Sequence, residues 1–143
     1  MLHTIRLAAE LAAPRAEIYA MYLNARTHAA ITGAPVTIAP REGTAFEAFG
    51  GALSGRILYL VPDRMIVQTW RSNVFRRTDA DSILILTLLP RGHRATLVDL
   101  QQINVPEQDY AGVSQGWELY YFAPWREYLT MRSARRARKS RKV

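Results

Sequence analysis

No cysteine occurs among the 143 residues, which excludes a disulfide framework, a thiolate metal site and a thiol nucleophile. A reducing compartment, the cytoplasm, is the expected setting. Long apolar runs are missing as well. The longest stretch without a charged side chain, Thr27 to Pro40, is 14 residues and only mildly apolar, short of the roughly 20 that span a bilayer. No transmembrane segment is expected. Glu10 interrupts the early apolar run and no basic leader precedes it, so no signal peptide is expected either. Histidines are few: His3, His28 and His93 share no ligand spacing. Walker and dinucleotide fingerprints are absent, because Gly50-Gly51 reads as a hairpin turn and opens no helix. No metal and no cofactor is expected.

What remains is the composition of one ordinary soluble domain, 49% hydrophobic and 22% charged, with enough chain for a single core. The net charge of +7 needs one qualification. The segment RSARRARKSRKV, Arg132 to Val143, carries seven Lys or Arg and no acid, leaving twelve basic and twelve acidic residues elsewhere. The body is neutral and the basic excess belongs to the tail. Two regions are expected: a domain over 1–131 and a basic tail over 132–143. Like charges repel in this tail and no apolar face continues through it, which predicts disorder beyond the first turn or so.

Periodicity divides the body. Thr4 to Leu11 alternates as a strand and runs into Ala13-Pro14, where proline suits the first turn of a helix. Ile18, Met21 and Tyr22 recur at helical spacing, and Asn24 is a plausible cap for a second short helix that stops at Gly33. From Val36 to Val105 the pattern is alternating. Turns are expected at Gly50-Gly51, Pro62-Asp63 and Pro90-Arg91-Gly92, so successive strands pair antiparallel as a meander. After Pro106 the period returns to 3.6. Val113, Trp117, Tyr120, Tyr121, Pro124 and Tyr128 share a stripe, predicting a long helix from Asp109 to about Met131, kinked at Pro124. The fold class is α+β.

Two separated blocks carry a family resemblance. APREGTAFEAFGGALSGRILYLVPDRMIVQTWR (Ala39 to Arg71) resembles the core block of the SRPBCC superfamily. It is most similar there to the family named after the activator of the ninety-kilodalton heat-shock protein ATPase. INVPEQDYAGVSQGWELYYFAPWREYL (Ile103 to Leu129) resembles the same family's closing strand and helix, through Val105-Pro106, Gly112-Val113, Gly116-Trp117, Tyr121, Pro124 and Leu129. The resemblance implies a helix-grip fold like START domains and birch-pollen allergens: a curved antiparallel sheet around the C-terminal helix, with a cavity between them. Ala13 departs from the Ser or Asp the family often places before its first helix, and the basic tail lies outside the pattern.

Gly112-Val-Ser114-Gln-Gly116 formally matches the G-x-S-x-G nucleophile elbow. That motif needs a preceding strand and a later histidine, and every histidine here comes earlier. The serine therefore reads as a helix residue. The candidate ligand-binding residues are Phe46, Ile57, Gln68, Trp70, Leu86, Leu100, Gln102, Trp117, Tyr120 and Tyr121, with Leu84 and Val98 on the same concave face. Gln68 and Gln102 have no useful pKa, so they suit binding rather than acid–base chemistry. No catalytic residue is assigned. The leading reading is a non-enzymatic binding protein for a small apolar or amphipathic molecule. A chaperone-associated interaction protein and a cyclase- or hydratase-type enzyme are the alternatives. On the opposite face Ile83, Ile85, Leu89, Leu97 and Ile103 are unusually apolar for a wet sheet surface and could form a homodimer interface. The tail is a candidate polyanion contact.

Overall fold

The computed structural model describes residues 1–141. Seven strands form one antiparallel sheet in the order β1-β7-β6-β5-β4-β3-β2. They are β1 (Leu2–Leu11), β2 (Val36–Thr37), β3 (Ala45–Ala48), β4 (Leu53–Val61), β5 (Met65–Ser72), β6 (Ser82–Arg91) and β7 (Ala95–Pro106). The meander β3 to β7 is joined by short turns except between β5 and β6, where residues 73–81 intervene, and β1 closes the far edge by pairing with β7, Leu7 opposite Leu100. Period-2 alternation puts Ile57, Ile66, Gln68, Trp70, Leu84, Leu86, Val98, Leu100 and Gln102 on the inner face, all buried.

Two short helices, α1 (Arg15–Leu23) and α2 (Ala25–Thr32), follow β1. The Asn24 side chain accepts hydrogen bonds from the Arg26 and Thr27 amides, and Gly33 ends α2 at φ 78°, in the left-handed region. Pro14 sits one position outside α1, extended at ψ 151°, and offers no side-chain cap.

The C-terminal helix starts earlier and ends later than its apolar stripe predicts. It comprises α3 (Glu107–Gly116), a π-helical segment (Trp117–Phe122) and α4 (Ala123–Arg141). The expected irregularity at Pro124 takes the form of the wider segment just before it, where the Ala123 amide donates to the Glu118 carbonyl five residues back. A widened turn keeps Trp117, Tyr121 and Phe122 buried and swings Tyr120 outward, to 58% exposure, off the stripe that a uniform 3.6 period assigns it.

The basic segment also differs from its expected disorder, since α4 stays helical through Arg141; Lys142 and Val143 lie outside the described residues. Ala and Arg are strong helix formers. Arg132 anchors the segment by an Nη2 bond of 2.9 Å to Glu17 Oε1 on α1, with Arg136 3.7 Å from the same oxygen. The core lies between the inner sheet face, the α1–α2 pair and the helix, whose Trp125 and Leu129 pack inward from α4.

Candidate functional site

A cleft of about 610 Å³ opens where the helix crosses the β4–β5 end of the sheet. One wall is aromatic: Phe49, Trp70, Trp117, Tyr120 and Tyr121. Asn73 and Val74 of the β5–β6 connection also line the cleft. That connection is held in place by Arg71, whose guanidinium pairs with Asp81 at 2.7 Å and donates to the Asp79 and Arg76 carbonyls. Gly112 and Gly116 line the cleft one turn apart, so the helix presents backbone there instead of side chains.

Phe49 is shaped unusually. It adopts φ 51°, a region that strains a residue with a Cβ, at the start of the 3₁₀ turn Phe49–Gly51. Its ring meets Tyr120 edge-on at 5.8 Å and Tyr121 at 6.4 Å. Such strain costs on the order of 1–3 kcal/mol and collects at ligand clamps and active sites.

Asp109 is the one acid in the cleft, in the first turn of α3 and 8% exposed. Ser72 Oγ accepts from the Val74 amide at 3.0 Å and donates to Asp109 Oδ2 at 2.5 Å. Burial pushes the Asp109 carboxyl above its ordinary range, and the Ser72 hydrogen bond opposes part of that. The position was open to sequence reasoning as an acid near a helix start. Its pairing with Ser72 across the sheet was not, because 37 residues separate the two.

Behind the aromatic wall lies a buried polar chain. His28, 1% exposed, has Nδ1 2.7 Å from the Tyr22 carbonyl and Nε2 2.9 Å from the Tyr121 hydroxyl. A carbonyl can only accept, so Nδ1 carries the proton, and Nε2 accepts from Tyr121. Burial lowers the imidazole from 6.5 to about 4, the Tyr22 carbonyl opposing it. Burial likewise raises the Tyr121 phenol, and raises Tyr22 well above its usual value with the Tyr121 phenol adding to it. The Tyr22 hydroxyl donates to Gln68 Oε1.

Of the ten candidate ligand residues, the structure brings Trp70, Trp117, Tyr120 and Tyr121 together on the cleft. Phe46, Ile57, Leu86 and Leu100 are buried in the core beneath it. Gln68 and Gln102 do point inward, but their amides serve internal partners. Gln102 accepts from Trp117 Nε1 at 2.8 Å and donates to Ser82 Oγ at 3.0 Å. Ser114 of the formal elbow motif donates to the Tyr110 carbonyl within its own helix, at 2.7 Å. Among the described residues no helix is long and apolar enough to cross a membrane.

A curved antiparallel sheet around a long C-terminal helix, two short helices after the first strand and a cleft beside the helix together define a helix-grip protein. Residues 12–130 match the family model described as activator of Hsp90 ATPase homolog 1-like protein, and the chain belongs to that family. It is 28% identical over 106 residues to the human activator of 90 kDa heat shock protein ATPase homolog 1, covering 74% of this chain and 31% of that protein. The chain thus spans about a third of the length of that curated relative. An HSP90 activator from Plasmodium falciparum superposes with a TM-score of 0.75 at 17% identity, over 82% of this chain and 89% of that one. The Aha1 dimer from Colwellia psychrerythraea gives 0.71 at 15%, over 82% and 90%. At these identities both structures bear on the fold alone.

Proposed function

We propose that the domain is a non-enzymatic binding protein whose cleft receives a small apolar or amphipathic molecule. The observation that carries this reading is the cleft itself: five aromatic rings around about 610 Å³, with glycine on the helical side. That volume suits a small organic ligand. Trp70 and Trp117 both line it, so an apolar fluorophore that enters must change tryptophan emission, and Trp70→Phe must diminish the change. Gly116→Leu should fill the cleft and abolish binding. A Cβ there meets only Tyr120 ring carbon, at 3.5 Å, which is ordinary contact. Unaltered probe binding in Gly116→Leu would remove the cleft from consideration.

A second reading, contact with a chaperone ATPase, is favoured by the name of the human relative. The outer sheet face is the surface offered for it, or for a second copy of this chain. Ile83 opposes Ile103 and Leu89 opposes Leu97 across β6–β7, with Ile85 beside Val67 of β5. Ile85→Glu should then abolish stimulation of chaperone ATP hydrolysis or convert a dimer to a monomer in sedimentation. Absence of both effects would leave this face as ordinary surface.

A further inference from the structure

The cleft has a polarity that its aromatic walls alone do not supply. Among the residues lining it Asp109 is the only acid, and no Lys, Arg or His joins it. Asp109 takes part in no ion pair among the described residues. Its two oxygens are differently placed. Oδ2 is held by Ser72, whose hydroxyl must donate to it because the Val74 amide already donates to that hydroxyl. Oδ1 makes no hydrogen bond among the described residues, and it is not among the buried polar atoms sealed from solvent. A Cβ at Gly112 would stand 3.3 Å from Oδ1, so glycine there leaves room beside this oxygen, and both residues line the cleft.

A carboxylate stripped of most of its water and given one hydrogen bond is short of positive charge. Electron-rich ring faces nearby attract the same charge, and they bury an apolar chain equally well. We propose that Asp109 makes the cleft selective for small amphipathic cations, an ammonium head at Oδ1 with its apolar body against Phe49, Trp70, Trp117 and Tyr120. This rests on the cleft being a ligand site. The helix N-terminus accounts for an acid in the first turn of α3, but it leaves Oδ1 without a partner.

Three probes of one chain length separate the proposal from the reading beneath it: octylammonium, octanol and octanoate, titrated into the full chain with tryptophan emission as readout. Octylammonium should bind about tenfold tighter than octanol, with octanoate weakest, because a charge pair in a partly desolvated site exceeds a neutral hydrogen bond. Asp109→Asn should bring octylammonium to within about twofold of octanol while octanol affinity holds. Should that variant not fold, Asp109→Ala also removes the charge and must lose the preference. Equal binding of octanol and octylammonium by the wild type overturns the cation proposal and leaves the cleft standing. So does a preference that survives in folded Asp109→Asn or Asp109→Ala. If no probe binds, both fall.

Discussion

His28 converts burial into a pH dependence with a definite sign. The imidazole titrates near 6.5 in an unfolded chain and at about 4 in the native one. Its folded value is depressed, so its contribution is complete above pH 6.5, declines as pH falls, and is gone below about 4. The full span is about 3 kcal/mol, from 1.36 kcal/mol per unit. Between about pH 7.5 and pH 5, where the unfolded chain is protonated and the native one is not, roughly 2 kcal/mol is lost. His28→Gln removes the ionisation. Urea unfolding followed by tryptophan emission at several pH values gives ΔG for both proteins. The variant is the weaker at neutral pH, since the bonds to Tyr22 and Tyr121 are disturbed, and the gap should narrow by about 2 kcal/mol on going to pH 5. Asp109 cannot imitate this. Its raised carboxyl value makes it a penalty at high pH that is relieved on acidification, the opposite slope. Parallel curves for wild type and His28→Gln would refute a neutral buried imidazole.

Gly55→Ala should cost at least about 3 kcal/mol, because its Cβ would lie 1.9 Å from the Thr69 carbonyl oxygen on β5. Gly92→Ala, at φ 68° with nothing within 4 Å, should cost only about 1 kcal/mol; equal melting-temperature losses would contradict the steric account. Tyr121→Phe leaves His28 Nε2 without its donor and should cost about 1–3 kcal/mol in urea unfolding, while apolar probes still bind because the ring remains. Ending the chain after Arg132 preserves the contact with Glu17, so the thermal midpoint should hold. Salt-sensitive retention on a polyanion column should disappear, and retention that persists would relocate the basic patch to the body.

Much of the scaffold was legible because simple periods govern it. Strands β5 to β7 alternate in two faces, and one face is buried almost without exception, so Gln68, Trp70, Leu100 and Gln102 could be placed inside from spacing alone. Asn24 and Gly33 announced the ends of α2 through local chemistry. What was hidden depends on contacts distant in the chain or on broken local rules. The hydrogen bond from Ser72 to Asp109 and that from Tyr121 to His28 have no local signature. Phe49 carries a backbone angle ordinarily left to glycine. Tyr120 was assigned inward by a helical period that the π segment does not keep. Charge repulsion alone predicts a disordered tail, and the helix propensity of Ala and Arg and the acid at Glu17 act against it.

Several of these departures meet at the cleft, although Asp63 and Asn104 also hold positive φ away from it. A proline at position 124 has no amide for the Tyr120 carbonyl, so an unbroken α-helix is disfavoured where the π segment occurs. The wider turn leaves Leu119 and Tyr120 exposed and Trp117 and Tyr121 buried, and all four line the cleft. On the exposed side Arg126 pairs with Glu118, at 2.7 Å and 3.1 Å, across the same irregular stretch. Phe49 then closes the aromatic group from the sheet side in its strained conformation, and Gly112 with Gly116 withholds the side chains that would otherwise fill the space. A helix built only to cover the sheet would have regular turns and leucine in place of glycine, and it would be more stable for both changes. Strain, a π turn, two bare helical positions and a desolvated acid converge on one cleft. The proposed ligand site draws its support from that convergence, because a packing flaw would have no reason to gather all four.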